Sequence, residues 1–220
     1  ETGDEYSSSA LVIATGSRYR RLGVPGEEDL IGAGIHFCAT CDGPFYRDQE
    51  VLVIGGGNSA VEEGLFLTRF ASKVTLLARG DRLRASRILQ ERAESEPKLA
   101  VRTNASVREF RGASSVESVV VADSETGDNE ELHPSGVFIF IGLDPNTEFV
   151  RGVLDTDRWG FIKTDMTFQS SISGVFAAGD VRAGSTKQLA AAVGEGTTAA
   201  MMVRGYMERL QKNRGYAGDG

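Results

Sequence analysis

The sequence predicts an α/β fold built on a parallel sheet, and three observations predict it. Short apolar runs stop abruptly at glycines or turns, as buried strands do. One of them, Glu50–Ile54, runs straight into Gly55-Gly56-Gly57-Asn58-Ser59-Ala60 and then into a helical pattern. Strand-like and helix-like segments alternate through the middle of the chain, the pattern of adjacent strands with helices packed across them.

Taken in order, residues 10–14 (Ala-Leu-Val-Ile-Ala) form a buried strand that enters a turn at Thr15-Gly16-Ser17. Residues 18–34 are first basic and then acidic, carry Pro25 and several glycines, and read as a connector. A cysteine-bearing stretch, 36–46, precedes the strand Glu50–Ile54. In the helix behind the glycines, Ala60, Val61, Gly64, Leu65 and Leu67 can face the sheet, leaving Glu62, Glu63 and Arg69 for the other side. Lys73–Leu77 is the next strand, and a helix over 88–96 is closed by Pro97. A strand at 99–103 follows, then a meander at 106–110, 116–122 and 130–132 with a turn at Glu125-Thr126-Gly127-Asp128. Covering the sheet with that meander would complete a compact domain. Residues 137–141 return to the core and stop at Gly142. Beyond residue 146 the texture changes: a short strand at 160–163, a strand at 173–180 ending in Gly179-Asp180, and an alanine-rich helix over 187–210.

A chain of 220 residues can hold one large domain or two small ones. A net charge of -7 and a pI near 5.0 count against nucleic acid or an anionic membrane as partner, since both need a basic face. The longest strongly apolar run, 137–141, is too short for a membrane span. The chain opens without methionine, as if in mid-domain. Its first residues are polar and acidic with no apolar stretch behind a basic start, so the expected compartment is the cytosol.

Cys38 and Cys41 are the only cysteines, and they form a Cys-x-x-Cys pair within His36-Phe37-Cys38-Ala39-Thr40-Cys41-Asp42-Gly43-Pro44-Phe45-Tyr46. Such a pair suits a redox disulfide, because nearby backbone N–H groups stabilise its thiolates. In a reducing compartment that role fits better than a structural bridge. Half of a zinc site is an alternative, with only His36 and His133 as further ring ligands, so no metal is expected. An inert buried thiol pair is another. Asp42 favours chemistry, since a carboxyl there can trade a proton with a thiol during disulfide exchange. Its competing reading is a turn residue ahead of Gly43-Pro44.

Gly55-x-Gly57-x-x-Ala60, between a strand and a helix, is a dinucleotide fingerprint. Gly55 permits the tight turn, Gly57 lets backbone approach a pyrophosphate, and Ala60 lets helix and strand pack closely. A tight turn without a ligand is the alternative. After Leu77 the chain reads Ala78-Arg79-Gly80-Asp81-Arg82-Leu83-Arg84, with no acid at the strand end to take ribose hydroxyls. Arginines there favour a 2′-phosphate, hence NADPH over NADH, unless they only solvate a helix face. Asp180, at another strand end, can hold a ribose or ribityl hydroxyl.

Together, Thr15-Gly16 after a buried strand, Cys38-Ala39-Thr40-Cys41-Asp42-Gly43, Gly55-Gly56-Gly57-Asn58-Ser59-Ala60-Val61-Glu62-Glu63 and Val175-Phe176-Ala177-Ala178-Gly179-Asp180 resemble low-molecular-weight bacterial thioredoxin reductase. The order and spacing are that family's over nearly the whole chain. The resemblance implies a three-layer FAD/NAD(P)-binding Rossmann-like fold. It implies a flavoprotein homodimer that passes electrons from NADPH to FAD, then to the enzyme disulfide, then to thioredoxin or a thioredoxin-like protein. On it, Cys38 and Cys41 are the redox pair, Cys41 is nearer the flavin, and Asp42 is the proton donor. Thr15, Gly16, Gly179 and Asp180 fall to FAD, with Asp180 on the ribityl chain, and Lys187 and Gln188 lie beside the isoalloxazine ring. Gly55, Gly57, Asn58 and Ser59 surround the NADPH pyrophosphate, with Arg79 and Arg84 for the 2′-phosphate.

The implied domains are an FAD-binding domain in two pieces, 1–18 and 143–220, and an inserted NAD(P)H-binding domain, 19–142, carrying the cysteines. Because hydride and disulfide must reach one flavin in turn, the inserted domain is expected to rotate, with hinges near 18–22 and 142–146. Two departures stand out. Ala78-Arg79-Gly80 replaces the family's usual His-Arg-Arg, and the family's N-terminal glycine-rich segment for the ADP half of FAD is not in this sequence. The rival readings are a catalytically inactive NADPH-binding fragment and a related flavin disulfide oxidase or reductase acting on another partner.

Overall fold

A computed structural model describes residues 3–216. The chain divides into two compact units, Tyr19–Gly142 and the pair of outer segments Glu1–Arg18 with Leu143–Gly220. Residues 1, 2 and 217–220 of the outer segments lie outside the described residues.

The first outer segment holds strands β1 (Leu11–Ile13) and β2 (Ser17–Tyr19). The central unit then runs through β3 (Ile35–His36), helix α1 (Ala39–Asp42), β4 (Glu50–Ile54), α2 (Asn58–Leu67), β5 (Lys73–Leu77), α3 (Arg87–Ser95) and β6 (Leu99–Arg102). It closes with β7 (Ala105–Arg111), β8 (Ser118–Asp123), β9 (Asn129–Leu132) and β10 (Gly136–Ile139). The second outer segment carries β11 (Leu143–Pro145), β12 (Val175–Ala177) and α4 (Leu189–Tyr216).

Five strands of the central unit form one parallel sheet in the order β3-β10-β4-β5-β6. Its middle strands are largely apolar because both faces are covered. On one face Val51, Val53, Val74, Leu76 and Phe138 meet Ala60, Val61 and Leu67 of α2 and Leu89 and Ala93 of α3. On the other, Leu52, Ile54, Leu77, Val137 and Ile139 meet Val107, Phe110, Val119 and Val121 of the antiparallel β7-β8-β9 meander. Alternate residues of β4 thus feed two cores, as the two-residue period of a strand requires. Each fully buried side chain of this size is worth about 2 kcal/mol. The result is the three-layer α/β arrangement expected from the pattern.

Three expectations are corrected. The stretch 18–34 is more than a connector: Glu27 is only 1% exposed and accepts from the N–H groups of Leu22 and Gly23 at 3.0 and 2.7 Å. Its backbone is also laced to β7, where the Phe110 N–H donates to the Pro25 carbonyl at 2.9 Å. The anticipated strand at 160–163 is absent, because Ile162 makes single bridges to Thr156 and Arg182 and the ladder goes no further on either side. Ile162 is nonetheless wholly buried, which is what its apolar character signalled. The helix expected from residue 187 begins at Leu189, after a turn in which Lys187 takes a positive φ of 59°.

In the outer unit β1 pairs in parallel with β12, and β11 is hydrogen-bonded to β2. Its apolar core is small: Ile13, Val150, Leu154, Ile162, Ala177 and Val181. A largely buried ion pair adds to that core. Arg182 Nη2 and Nε donate to Glu195 of α4 at 2.8 and 3.1 Å, with the two side chains 17% and 12% exposed. Glu195 Oε2 also accepts the Gly179 N–H at 2.8 Å. Burial works to raise the Glu195 pKa, but these donors and the Arg182 charge outweigh it and hold the carboxyl below its ordinary range. Replacing Arg182 with methionine leaves that carboxylate partly buried and unpaired, at a cost of about 2 kcal/mol. Urea unfolding of the full chain measures it; an unchanged midpoint would show that water takes over the carboxylate.

Candidate active site

The cysteine turn is built on the end of β3. Cys38 is extended (φ -139°, ψ 104°) and caps α1, its Sγ accepting the Cys41 N–H at 3.1 Å. The Asp42 N–H donates to the Cys38 carbonyl at 3.1 Å, which completes the turn and brings the two sulfurs into a disulfide. Cys41 is exposed and Cys38 half-buried. Gly43 sets α1 against α2: a side chain there would come within 2.9 Å of Leu67 Cδ2.

Asp42 does not stand alone beside the disulfide. Its Oδ2 is 3.4 Å from Nδ1 of His36, whose Nε2 is 2.6 Å from the Tyr46 hydroxyl. The imidazole packs on Phe138 at 5.3 Å between centroids, and the Tyr46 ring meets both edge-on. Tyr46 in turn lies over Gly136 so closely that no side chain fits there. Burial pushes the His36 pKa down, against the opposing pull of Asp42, and pushes the Tyr46 pKa up, helped by the Asp42 charge.

The glycine turn lies on the same unit. Gly55 takes φ 148° and donates its N–H to the Leu77 carbonyl at 3.0 Å. Gly57 heads α2 with no side-chain cap, and a Cβ there would meet nothing within 4 Å. The first amides of α2 therefore open onto unfilled space beside exposed Asn58 and Ser59, an arrangement that suits a pyrophosphate. Asn58 has a further task, since its Oδ1 accepts the Ser86 N–H at 2.8 Å, and the Arg84 N–H donates to the Gly56 carbonyl at 2.6 Å. The arginine loop is thus laced to the glycine turn. Arg79, Arg82 and Arg84 are exposed, and no ion pair among the described residues uses them.

The outer unit gathers the remaining residues in two places. Thr15 Oγ1 donates to the Asn146 carbonyl at 2.7 Å, and Asn146 Nδ2 returns a bond to the Thr15 carbonyl at 2.8 Å, around a Gly16 with φ 71°. Gly179, at φ 75°, turns the chain out of β12 into Asp180. Asp180 Oδ1 is buried without a hydrogen-bond partner among the described residues, so it lacks a donor that a ligand hydroxyl could bring. Lys187 Nζ donates to the carbonyls of Asp180 and Arg182 at 2.7 and 2.8 Å and lies 4.0 Å from the Phe161 ring centroid. It holds the shape of the Asp180 loop, and Gln188 starts α4 by accepting the Ala192 N–H at 2.9 Å. Sequence reasoning passed over Arg182, Glu195 and Asn146, which carry no motif, and gave His36 and Tyr46 no part in proton chemistry.

The family model described as pyridine nucleotide-disulphide oxidoreductase matches residues 1–196. Thioredoxin reductase of Bacillus subtilis strain 168 is 44% identical over 209 residues, covering 94% of this chain and 66% of that protein. Thioredoxin reductase of Peptoclostridium litorale is 43% identical over 212 residues, with 94% and 67% covered. The crystal structure of thioredoxin reductase from Streptococcus pyogenes superposes with a TM-score of 0.86 at 44% identity, over 91% of this chain and 66% of that one. Thioredoxin reductase from Giardia duodenalis gives 0.84 at 34% identity, over 90% and 66%. The chain spans about two thirds of the length of these relatives.

Proposed function

Since the chain belongs to the pyridine nucleotide-disulphide oxidoreductase family, we propose that it serves a thioredoxin-disulfide reductase. Electrons would pass from NADPH through FAD and the Cys38–Cys41 disulfide to thioredoxin or a thioredoxin-like protein. The observation that carries this reading is the disulfide between Cys38 and the exposed residue Cys41, with the adjoining Asp42, on the same unit as an uncapped helix N-terminus behind a glycine turn. The central unit is then the NAD(P)H-binding domain and the outer segments belong to the FAD-binding one.

Both cofactors fit the residues present. FAD would give Asp180 Oδ1 the hydroxyl donor it lacks, and NADPH would place its pyrophosphate on the α2 amides and its 2′-phosphate among Arg79, Arg82 and Arg84. Bound FAD supplies the two-electron step between nicotinamide and disulfide. The protein's own part is exchange chemistry. When Cys41 is attacked, the S–S pair leaves on Cys38, whose sulfur already accepts the Cys41 N–H and is stabilised as a thiolate. Asp42 gives the proton that completes the thiol. Reduced, the Cys38 thiolate attacks a partner's disulfide. A homodimer in the cytosol is the setting we propose, and among the described residues no helix is long and apolar enough to cross a membrane.

The test is anaerobic addition of NADPH to the chain supplied with FAD. Bleaching of the flavin absorbance together with the appearance of protein thiols is the expected result. A chain that binds NADPH but retains no flavin colour and releases no thiol would instead be a nucleotide-binding fragment.

A further inference from the structure

We propose that His36 is a positioning residue for Asp42: its Nδ1–H faces the carboxyl and stabilises the charge that Asp42 acquires on releasing its proton. The inference rests on the reading of Asp42 as proton donor.

Of the two neutral tautomers, we take the one with its proton on Nδ1. His36 Nε2 sits 2.6 Å from the Tyr46 hydroxyl, so a phenol donating into that nitrogen leaves it an acceptor and puts the single proton of a neutral ring on Nδ1. Nδ1 faces Asp42 Oδ2 at 3.4 Å, longer than an ordinary hydrogen bond. Such a contact gains most when its acceptor becomes charged, because charge-assisted bonds are shorter and stronger. It therefore favours the step in which Asp42 loses its proton over the state before it. Burial supports the assignment, keeping the imidazole neutral and the phenol protonated.

The ring is held from three sides. Its backbone is paired with Phe138 across β3 and β10, its face lies on the wholly buried Phe138 ring, and Tyr46 closes the edge. Nothing in packing alone requires an imidazole there, since a phenyl ring would fill the same place against Phe138. The two nitrogens, each with one partner, are what a phenyl ring cannot supply.

The step can be isolated with dithiothreitol as reductant. One dithiothreitol thiolate attacks Cys41 Sγ, the S–S bond breaks, and its electron pair leaves on Cys38 Sγ, which takes the proton from Asp42. The second dithiothreitol thiolate then cleaves the mixed disulfide, Cys41 Sγ leaves as a thiolate and takes a proton from water, and the products are the protein dithiol and oxidised dithiothreitol. His36 keeps its proton throughout.

The experiment follows reduction of the Cys38–Cys41 disulfide in the full chain by dithiothreitol, with thiols trapped by alkylation. It needs no flavin or NADPH, so failure of the electron route leaves it readable. His36→Phe preserves the ring on Phe138 and should be about tenfold slower. His36→Asn loses the ring but keeps a donor near the Nδ1 position, and should stay within about threefold of wild type. A packing role predicts the opposite order, and that order would overturn the proposal. In an Asp42→Asn background, itself slow, His36→Phe should change nothing further; the same slowing in both backgrounds would show that His36 does not act through Asp42. If His36→Phe does not fold, Tyr46→Phe, which releases the tautomer, should slow reduction about threefold, and a wild-type rate there also overturns it. Should Asp42→Asn reduce at the wild-type rate, the proton-donor reading falls and this inference with it. Failure of NADPH to bleach the flavin alongside an intact cycle strikes the electron route alone.

Discussion

Cys38→Ser abolishes disulfide exchange while leaving the fold in place. Serine is among the best helix caps, and its Oγ can accept the Cys41 N–H that Cys38 Sγ accepts now at 3.1 Å, so α1 is retained. What goes is the leaving sulfur. With it go the disulfide and the thiolate proposed to attack a partner, a loss of roughly a thousandfold or more in exchange rate, since an alcohol is a far poorer nucleophile and leaving group near neutral pH. Cys41 then titrates as a free, exposed thiol without prior reduction. The measurement pairs thiol titration with NADPH-driven reduction of a small disulfide, and with NADPH binding, which should be unchanged because the glycine turn is untouched. Turnover within tenfold of wild type would remove the disulfide from the electron route.

The central unit was legible because its strands are buried on both faces. Val51 to Ile54 and Lys73–Leu77 are apolar runs that stop at glycine or alanine, and the structure keeps their limits at Glu50–Ile54 and Lys73–Leu77. β3 was not legible: Ile35–His36 is a two-residue strand, too short to show a period, and it exists because β10 lies beside it. The same shortness hid His36. Its ring meets Asp42 through a turn and Tyr46 through the following 3-10 segment, contacts that no spacing rule announces. In the outer unit the glycine and acid at 179 and 180 were visible at a strand end, whereas Arg182 and Glu195 were not, since their pairing depends on where α4 folds back. Lys187 shows the remaining limit of sequence: the resemblance placed it beside the isoalloxazine ring, and nothing in the sequence announced the bonds of its ammonium to the carbonyls of Asp180 and Arg182.

The two glycines of the nucleotide turn should separate under substitution, Gly55 by stability and Gly57 by binding. Gly55 has φ 148°, a conformation side chains rarely adopt, and a Cβ there would sit 2.7 Å from the Ala60 Cβ and nearer still to the Phe140 carbonyl oxygen. Neither neighbour can yield, because one is backbone next to β10 and the other is the wholly buried residue that seats α2 on the sheet. Gly55→Ala should therefore cost about 3 kcal/mol, strain and overpacking together, and take nucleotide binding with it. Gly57 has an ordinary φ of -95° and open space where its side chain would be. Alanine there fits the folded protein, but on the proposed function its methyl stands where backbone approaches a pyrophosphate, so Gly57→Ala should keep wild-type stability and weaken NADPH about tenfold. Urea midpoints and fluorescence titration with NADPH distinguish the two. If Gly57→Ala binds as tightly as wild type, the space above α2 is not the pyrophosphate site, and the glycine turn serves only to join strand to helix.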